Sequence, residues 1–477
     1  MTSAFVTEKK SFRNKFIGDK AFYRSVLSVA VPVMVQNGIS NFVSMLDNIM
    51  VGRVGTNQMS GVSIVNQLIF IYFLCIFGGM GGVSIFTAQY YGNKDTEGIR
   101  HTFRYKIWMA LILTGLAAVI FWFLKEPLIG LYLNGESEAK DLQETLQYGI
   151  GYMDIILLSF PAFMVLQIYA STLRSCGETV LPMKAGIAAV LTNLVFNWLL
   201  IFGNLGFPEL GVNGAAIATV LSRYVEMSIV VIYVHTHKRK CPWAAGLYKK
   251  LSVPKELSKV FMVKGFPLLI NECLWSMGMA MLTQCYSLRG LNIIVAFNIA
   301  NTLNNMLNIV FFAMGDAVSI MVGQLLGAGR LTEAKDKDTK IIFFAVLFSF
   351  VTVILLIIIG PFFPNLYNTN AEARAMATSI LYVYACFSPV NAFNHCAYFT
   401  LRSGGKTWIT FLFDSAYTWI ISVPVAFVLS RFTGIPAVGC FAIVSACDLI
   451  KSVIGYFMVK SNAWVVNLAR EDDGKNG

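Results

Sequence analysis

Long apolar stretches separated by short polar breaks run along this chain from about residue 24 to residue 459. Each stretch is long enough to cross the hydrocarbon core of a bilayer, which takes about 20 helical residues. Backbone polar groups must be satisfied internally in lipid, so these stretches are expected to be helices. The pattern predicts twelve membrane-spanning helices, at residues 24–50, 61–91, 103–124, 146–173, 183–203, 214–236, 260–286, 293–325, 341–362, 375–401, 407–429 and 437–459.

The composition agrees with an all-α integral membrane protein. Hydrophobic residues make up 56% of the 477 residues and charged residues only 13%, whereas soluble domains carry about 25% charged residues. The polar breaks are too short to hold a soluble domain. The first apolar stretch is longer than a signal peptide, so we expect it to be a retained helix.

The positive charge is distributed unevenly between the two sides of the predicted membrane. The net charge is +11, and 28 of the 37 Lys and Arg residues lie at the termini, in the even-numbered loops or in the first turn of a span that follows them, against six in the odd-numbered loops. The other three, Arg223, Lys264 and Lys451, lie deeper inside predicted spans. This positive-inside pattern predicts that both termini are cytoplasmic in a plasma or inner membrane, and it removes the reason to expect a nucleic-acid partner.

The two halves of the chain repeat each other. At an offset of 235, VSIFTAQYYG (83–92) resembles VSIMVGQLLG (318–327), and at an offset of 228, LRSCGET (173–179) resembles LRSGGKT (401–407). Each half holds six predicted spans, so both have the same orientation and their pseudo-twofold axis should lie along the membrane normal. We therefore predict a six-helix lobe at 1–236, a linker at 237–259 and a second lobe at 260–477.

Several kinds of chemistry have no motif in this sequence. It contains no GxxxxGK[ST] phosphate loop, no HExxH and no GxSxG, so neither ATP hydrolysis nor another enzymatic activity is expected. The nine Cys show no CxxC spacing and are interpreted as packing residues. No cofactor is expected. Two similar lobes suit alternating access, and without a nucleotide site transport would draw on an ion gradient or follow the substrate gradient.

Ionisable side chains inside the spans are the candidate functional groups, because a charge at the bilayer centre costs at least about 2.5–3.5 kcal/mol. The acids in the predicted spans are Asp47, Asp154, Glu226, Glu272, Asp316, Asp414 and Asp448. Two of them have a basic residue three positions away, which places both on one helix face. We interpret Arg223–Glu226 and Asp448–Lys451 as structural ion pairs.

Asp47 is the strongest candidate for ion coupling. It has no basic residue three or four positions away, and it follows Pro32, which removes a backbone hydrogen bond and lets the helix bend. Asn193 and Asn197 are four residues apart and share a helix face. Their amide oxygens could bind Na⁺ together with the Asp47 carboxylate, or the carboxylate could take up a proton; packing hydrogen bonds are the alternative role of the two amides.

The second half offers further candidates. Glu272 follows the repeat's second proline, Pro267, by five residues and is assigned a cation or substrate role. Weaker candidates for a substrate cavity are Asp154, Asp316 and Asp414, joined by Trp275 and Met279 as apolar lining. Packing against lipid or neighbouring helices is the competing interpretation for each of the apolar side chains.

These residues resemble the multidrug and toxic-compound extrusion (MATE) family along nearly the whole chain. The similar segments are PVMVQNGISNFVSMLDNIMVGRVG (32–55), GVSIFTAQYYGNKD (82–95), LRSCGETVLPM (173–183) and NLVFNWLLIFGNLGFPELGVNGAAIATVLSR (193–223), with their echoes in the second half. The resemblance implies efflux of cationic or amphipathic compounds by H⁺ or Na⁺ antiport through two six-helix lobes.

The resemblance also assigns roles to individual residues. Asp47 matches the family's acid of the first helix, and Pro32 matches its bending proline. Asn193 and Thr219 match polar members of the same network. Asn197 stands where many members carry a second Asp, so the chain departs from the pattern there. Glu272 looks like the acid of the seventh helix.

Other functions remain open from the sequence. A lipid-linked saccharide flippase or polysaccharide exporter has a similar architecture, but a pyrophosphate group would need a basic cavity, and the three basic residues of the spans lie on the cytoplasmic side. A channel or a membrane-embedded enzyme does not require the duplication. The partners we expect are a small cationic or amphipathic substrate and the lipid bilayer, with the chain acting as a monomer.

Overall fold

The computed structural model describes residues 12–133, 139–367 and 369–471, and throughout these residues the ordered elements are helices, with no strand. The α-helices are Phe12–Phe16 (α1), Lys20–Gly52 (α2), Thr56–Gly92 (α3), Thr96–Gly130 (α4), Ala139–Ile156 (α5), Phe160–Ser175 (α6), Val180–Phe202 (α7), Gly211–Thr236 (α8), Lys255–Ser287 (α9), Leu291–Gly327 (α10), Leu331–Ile359 (α11), Ala371–Ser403 (α12), Thr407–Phe411 (α13), Val423–Phe432 (α14), Ala437–Lys460 (α15) and Leu468–Glu471 (α16).

The predicted spans correspond to these helices. Eleven helical segments of the described chain are long and apolar enough to cross a bilayer, and α2, with 33 residues, covers the first predicted span. A 3₁₀ turn joins α5 to α6 in the fourth span, and π-helical turns join α13 to α14 in the eleventh. The prediction of an all-α membrane fold is confirmed. Most helices extend beyond their apolar stretch, because polar terminal turns continue the same helix.

The repeat is visible in the backbone as well as in the sequence. Lys94 and Gly329, which correspond at the offset of 235, both adopt left-handed conformations, with φ of 60° and 74°. Each lies in the turn that connects a long helix to the next, α3 to α4 and α10 to α11. Glycine adopts a left-handed conformation readily because it has no Cβ, whereas most other residues do so at a cost. The same turn is retained in both halves, although only the second has glycine there.

The glycine-rich run of α3 lets this helix approach α9 closely. A methyl group on Gly82 would lie only 2.4 Å from Cα of Gly265, and one on Gly78 would lie 3.0 Å from Cα of Leu269. Small residues at such crossings allow two backbones to pack against each other. The glycines are therefore packing residues.

The structure divides into two compact units. One is Pro32–Met277, and the other combines Met1–Val31 with Gly278–Gly477. The boundaries fall inside α2, directly before Pro32, and inside α9. The sequence predicts a different division, with lobes at 1–236 and 260–477 that meet in the linker between helices. The division into these two lobes stays a prediction.

The linker after α8 is packed into the first unit. Trp243 and Leu247 are almost fully buried, although they belong to a lysine-rich segment. The tail after α15 buries Trp464 and Leu468 in the second unit, and these two residues have the same spacing as Trp243 and Leu247. The segments that follow the two halves thus both bury a tryptophan and a leucine four residues apart.

Candidate functional site

A polar network inside the first unit connects α2 to α7 and α8. The Asn197 amide nitrogen donates to the Asp47 carboxylate at 2.6 Å and, in one orientation of the Asn193 amide, to the Asn193 side-chain oxygen at 3.0 Å. The Asn193 amide nitrogen lies 3.3 Å from the Thr219 hydroxyl. All four residues predicted for the coupling site in the first half thus lie together, in a region where Asn193 and Asn197 are buried.

Helix periodicity brings the network together. Asn193 and Asn197 are one turn apart on α7 and project from the same face. Two turns before Asn193 on that face, Gly186 leaves room for both Gln36 of α2 and Glu226 of α8, whose side chains lie 3.5 and 3.6 Å from the place of a Cβ there. An alanine Cβ at this position would make ordinary van der Waals contact with both side chains, so α2, α7 and α8 pack closely here without a clash.

The Asn193 amide can present either of its terminal atoms to Asp47. The terminal atom that faces the carboxylate lies 2.8 Å from Asp47 Oδ1 and 3.1 Å from Oδ2. If this atom is nitrogen, it donates to the carboxylate. If it is oxygen, two oxygens face each other, and a proton or a cation must lie between them. The Asn197 side-chain oxygen is buried and has no hydrogen-bond partner among the described residues, and the nitrogen of the same amide is the atom that faces Asp47.

Two further polar residues adjoin this network and were not predicted. Tyr152 of α5 lies within electrostatic reach of Asp47, and its hydroxyl donates to the Asn66 side chain at 3.4 Å. The second unit repeats this contact, because Tyr384 donates to Asn301 at 2.5 Å. The identity of Asn66 and Asn301 at an offset of 235 was the signal in the sequence that could have identified Asn66.

Glu272 occupies a different place in the first unit. Its side chain packs against Gly78 of α3, with Cγ 3.0 Å from the position of a Cβ there. Gly78 lies twelve positions after Asn66 on the same helix, which corresponds to about 18 Å along the axis. Glu272 is therefore separate from the Asp47 network. Pro267 lies inside α9, as Pro32 lies inside α2.

The remaining acidic candidates have charged or polar partners. Asp154 forms an ion pair with Lys125 in the first unit. Asp414 pairs with Lys451 at 2.8 Å in the second. The predicted ion pair Asp448–Lys451 was wrong. Among the described residues, Lys451 of α15 forms its ion pair with Asp414 of the preceding span, because Asp414 is nearer to it than Asp448 on its own helix. The other predicted pair, Arg223–Glu226, forms at 3.0 Å.

The apolar cavity candidates are partly exposed. Trp275 is 39% exposed and Met279 44% exposed on α9. Asp316 is partly buried in α10 and interacts with other groups. Trp275 and Asp154 belong to the first unit, whereas Met279, Asp316 and Asp414 belong to the second. A substrate cavity formed by these five residues stays a prediction.

Each unit contains a buried charge that the sequence did not reveal. Lys106 of α4 is fully buried, with its ammonium 3.1 Å from the Ser171 hydroxyl and 3.3 Å from that of Thr172. The residue that corresponds to Thr172 at the offset of 228 is Thr400, which donates at 2.6 Å to the fully buried Asp338. Equivalent threonines thus contact a lysine in one unit and an aspartate in the other. Lys106 is a basic residue of the spans beyond the three predicted.

The described part of the chain has no group of three or more His, Cys, Asp or Glu residues that could hold a metal ion. The oxygen atoms around Asp47 come mainly from amides and a hydroxyl. This donor set favours a hard monovalent ion or a proton over a transition metal.

Comparison with known proteins places these features in one family. The MatE family model matches the chain twice, at residues 32–199 and 267–428. The two matches begin at Pro32 and Pro267, which correspond at the offset found in the sequence. This confirms the internal repeat, and the matches cover more than half of the chain.

Individual relatives cover nearly the full length. The chain is 23% identical over 92% of its length to a probable multidrug resistance protein NorM of Thermotoga maritima, of which 93% is covered. It is 24% identical to a probable multidrug resistance protein YoeA of Bacillus subtilis, with 94% and 95% covered.

The fold matches solved MATE structures. A mutant form of the Vibrio cholerae MATE transporter VcmN has a TM-score of 0.83 at 18% identity, and the match covers 94% of this chain and 98% of that one. An outward-facing MATE family transporter has a TM-score of 0.81 at 18% identity, with 95% and 98% covered. With the family model matched in both halves, the chain belongs to the multidrug and toxic-compound extrusion family, whose members are membrane transporters and not enzymes.

Proposed function

We propose that this transporter exports cationic or amphipathic small molecules in exchange for H⁺ or Na⁺. The observation that carries the proposal is the contact of Asp47 with Asn193 and Asn197, in which one carboxylate on α2 meets two amides on α7. A proton or Na⁺ that binds at Asp47 changes the charge of the group that joins these two helices. Its arrival therefore alters the hydrogen bonds between them.

The two orientations of Asn193 suggest how the ion acts. With Asp47 ionised and empty, the Asn193 amide nitrogen faces the carboxylate and donates to it. With a proton or Na⁺ in place, the Asn193 oxygen turns to the carboxylate. For Na⁺, rotation of the Asn197 amide would bring its buried oxygen to the ion as a further ligand. Pro32 in the same helix lacks the N–H that would complete the helical hydrogen bonds. Bending of α2 at Pro32 can thus accommodate the new hydrogen bonds that form around Asp47 when the ion binds.

A cationic substrate is favoured by the chemistry of α9. This helix carries the acid Glu272 one turn before Trp275, whose ring is partly exposed. A carboxylate beside an exposed aromatic ring attracts a cation by charge and by cation–π contact. The Met side chains that follow adapt their shape to different apolar groups.

The proposed setting is an inner or plasma membrane, with both termini in the cytoplasm and a single chain as the working unit. The support for this topology is the excess of Lys and Arg in alternate loops. Export then moves the substrate from the side of the basic loops to the other side.

The test is efflux of a fluorescent cation from proteoliposomes that contain the purified protein, with an H⁺ gradient and a Na⁺ gradient imposed in turn. The proposal expects substrate movement that depends on one gradient and stops when that gradient is dissipated. Asp47→Asn protein, reconstituted at equal density, is the matched control and should lose the gradient dependence. Transport by the wild type that ignores both gradients, or gradient-driven transport by the variant, would overturn the proposal.

A further inference from the structure

A basic cleft lies where the start of α4 meets the linker after α8. It has a volume of about 420 Å³ and is lined by Glu97, Arg100, Arg104, Ala245, Gly246, Lys249 and Lys250. Four cations and one carboxylate leave three positive charges in excess. This cleft takes no part in the Asp47 network, and no step of the proposed transport uses it.

The two arginines of the cleft are fixed in position by the linker. Arg104 donates to the backbone oxygens of Leu247 at 3.1 Å and Gly246 at 3.4 Å, and Arg100 donates to that of Trp243 at 3.3 Å. Glu97 accepts from both arginines, at 2.6 and 2.9 Å. Rigid donors of this kind lose little conformational freedom when they bind an anion.

The two lysines of the cleft, in contrast, are not held by other charges. Lys249 and Lys250 are exposed, and neither forms an ion pair with any residue that the structure describes. They follow Gly246, whose φ of 73° turns the linker at the cleft wall. Two unpaired ammonium groups beside two fixed guanidinium groups are a phosphate-binding arrangement.

The outer face of α4 shows what kind of phosphate fits. Trp108 lies one turn after Arg104, half exposed, with its indole nitrogen bound to the Leu251 carbonyl at 3.0 Å. Leu111 continues the same face and is 45% exposed, about 10 Å farther along the helix than Arg104. Beside it, Gly115 has open space where a side chain would lie.

This succession of cations, an interfacial tryptophan and exposed aliphatic surface follows the profile of one phospholipid from head group to acyl chain. Tryptophan is enriched at the depth of the head groups, and basic pockets at the ends of spanning helices bind anionic lipid heads. A free phosphate would use the cations but not Trp108 or Leu111.

We propose that this cleft binds the phosphate of an anionic phospholipid of the cytoplasmic leaflet, with an acyl chain along the outer face of α4. The assignment of the leaflet rests on the proposed topology. Because the bound lipid contacts both α4 and the linker, it attaches the linker to the membrane surface and stabilises its docking on the first unit.

The test titrates the purified full-length protein, in micelles of a neutral detergent, with phosphatidylglycerol and separately with phosphatidylcholine, and reads bound lipid by native mass spectrometry. The double variant Lys249→Gln/Lys250→Gln removes the unpaired cations. Its matched control is Lys238→Gln/Lys240→Gln, which removes the same charge from exposed linker positions outside the cleft lining. Soluble glycerol 3-phosphate is the competitor that carries the head group without acyl chains.

The proposal expects tighter binding of phosphatidylglycerol than of phosphatidylcholine. It expects phosphatidylglycerol to bind the cleft variant about tenfold or more weakly, since each of the two lysines near an anionic lipid contributes about fivefold. It expects a change of under about twofold in the control. No lipid preference, equal losses in both double variants, or equal affinity for glycerol 3-phosphate would each overturn it. None of these readouts involves transport, so they are independent of the coupling ion.

Discussion

The side-chain amide of Asn197 donates a 2.6 Å hydrogen bond to the carboxylate of Asp47, which lies 150 residues earlier in the chain. The contact joins α2 to α7 through a charge in a region buried among helices. By rotating, an amide can present its nitrogen to an ionised carboxylate, or its oxygen to a protonated carboxyl group or a bound cation.

Asp47→Asn should abolish ion-coupled efflux while leaving the protein folded. The amide has nearly the size of the carboxylate and can still accept from Asn197, but it neither takes up a proton nor carries the charge that attracts Na⁺. We expect a loss of at least tenfold in gradient-driven uptake of a cationic dye into inside-out vesicles, at unchanged expression.

Asp154→Asn is the control for that experiment, because Asp154 pairs with Lys125 and lies outside the network. It should reduce efflux less than Asp47→Asn. Equal losses in the two variants at equal expression would contradict a specific role for Asp47.

Asn197→Ala should destabilise the first unit. It removes two hydrogen bonds and leaves the Asp47 carboxylate without its closest donor, and an unpaired buried polar group costs about 1–3 kcal/mol. The measurement is thermal unfolding of the purified protein in detergent. Asn204→Ala is the matched control, since Asn204 binds a backbone oxygen at an exposed site, and it should change the free energy of unfolding by less than about 0.5 kcal/mol.

The helices were predictable because lipid imposes a simple rule on sequence. A span needs about 20 apolar residues, and the unequal distribution of Lys and Arg orients the loops. The ends of the helices were less predictable, since α4 starts at Thr96 with the cap Asp95, whose side chain accepts from the Gly98 amide at 2.9 Å. Apolarity alone places that start near residue 103.

The site was predictable only in part. Asn193 and Asn197 share a face by helix period, and resemblance to the family supplied Thr219 as their neighbour. Tyr152 carries no such signal, because a tyrosine in a span is as readily an interfacial or packing residue. The partner of Lys451 is Asp414 of another helix, and a choice between partners on one helix and on the next depends on packing that one sequence does not reveal.

Lys106→Met should leave the protein equally stable or stabilise it by about 1–3 kcal/mol. The ammonium is fully buried and its only acceptors in the described chain are two hydroxyls, which compensate poorly for lost hydration. Methionine fills nearly the same space without a charge. Thermal unfolding is the measurement, with the exposed Lys184→Met as control.

Clear destabilisation by Lys106→Met, with no change for the control, would show that the charge itself is stabilising. Asp338→Asn tests the second unit in the same way. The amide can still accept from Thr400, so we expect a change within about 1 kcal/mol.

Cys75 and Cys273 should form a disulfide under mild oxidation. Their sulfur atoms lie 3.9 Å apart across α3 and α9, and bond formation needs an approach to about 2.05 Å. Copper phenanthroline followed by proteolysis and mass spectrometry should recover the cross-linked peptides, and Cys273→Ser should abolish them. If transport requires α9 to move against α3, oxidised protein should lose transport until it is reduced, whereas Cys273→Ser protein should be insensitive.

Cys241 reports whether the linker stays docked. Its side chain is buried beside the linker's Trp243, and burial, with a contribution from the nearby Glu178 charge, raises the pKa of this thiol from 9.0 to about 11. The thiolate is the reactive form. At pH 7.5 maleimide should therefore label Cys241 slowly, and the rate should keep rising about tenfold per pH unit beyond pH 9, where an ordinary thiol levels off.

Trp243→Ala should undock the linker, lower the pKa towards that of an ordinary thiol and speed labelling at pH 7.5 by about tenfold or more, because a two-unit fall in pKa raises the thiolate fraction up to about a hundredfold. The labelled peptide is quantified by mass spectrometry, so the other cysteines do not interfere. An exposed linker thiol, Lys240→Cys in a Cys241→Ser protein, gives the reference rate. If wild-type Cys241 reacts as fast as this reference, the linker is not docked in solution, and the rigid arginine positions of the basic cleft lose their support.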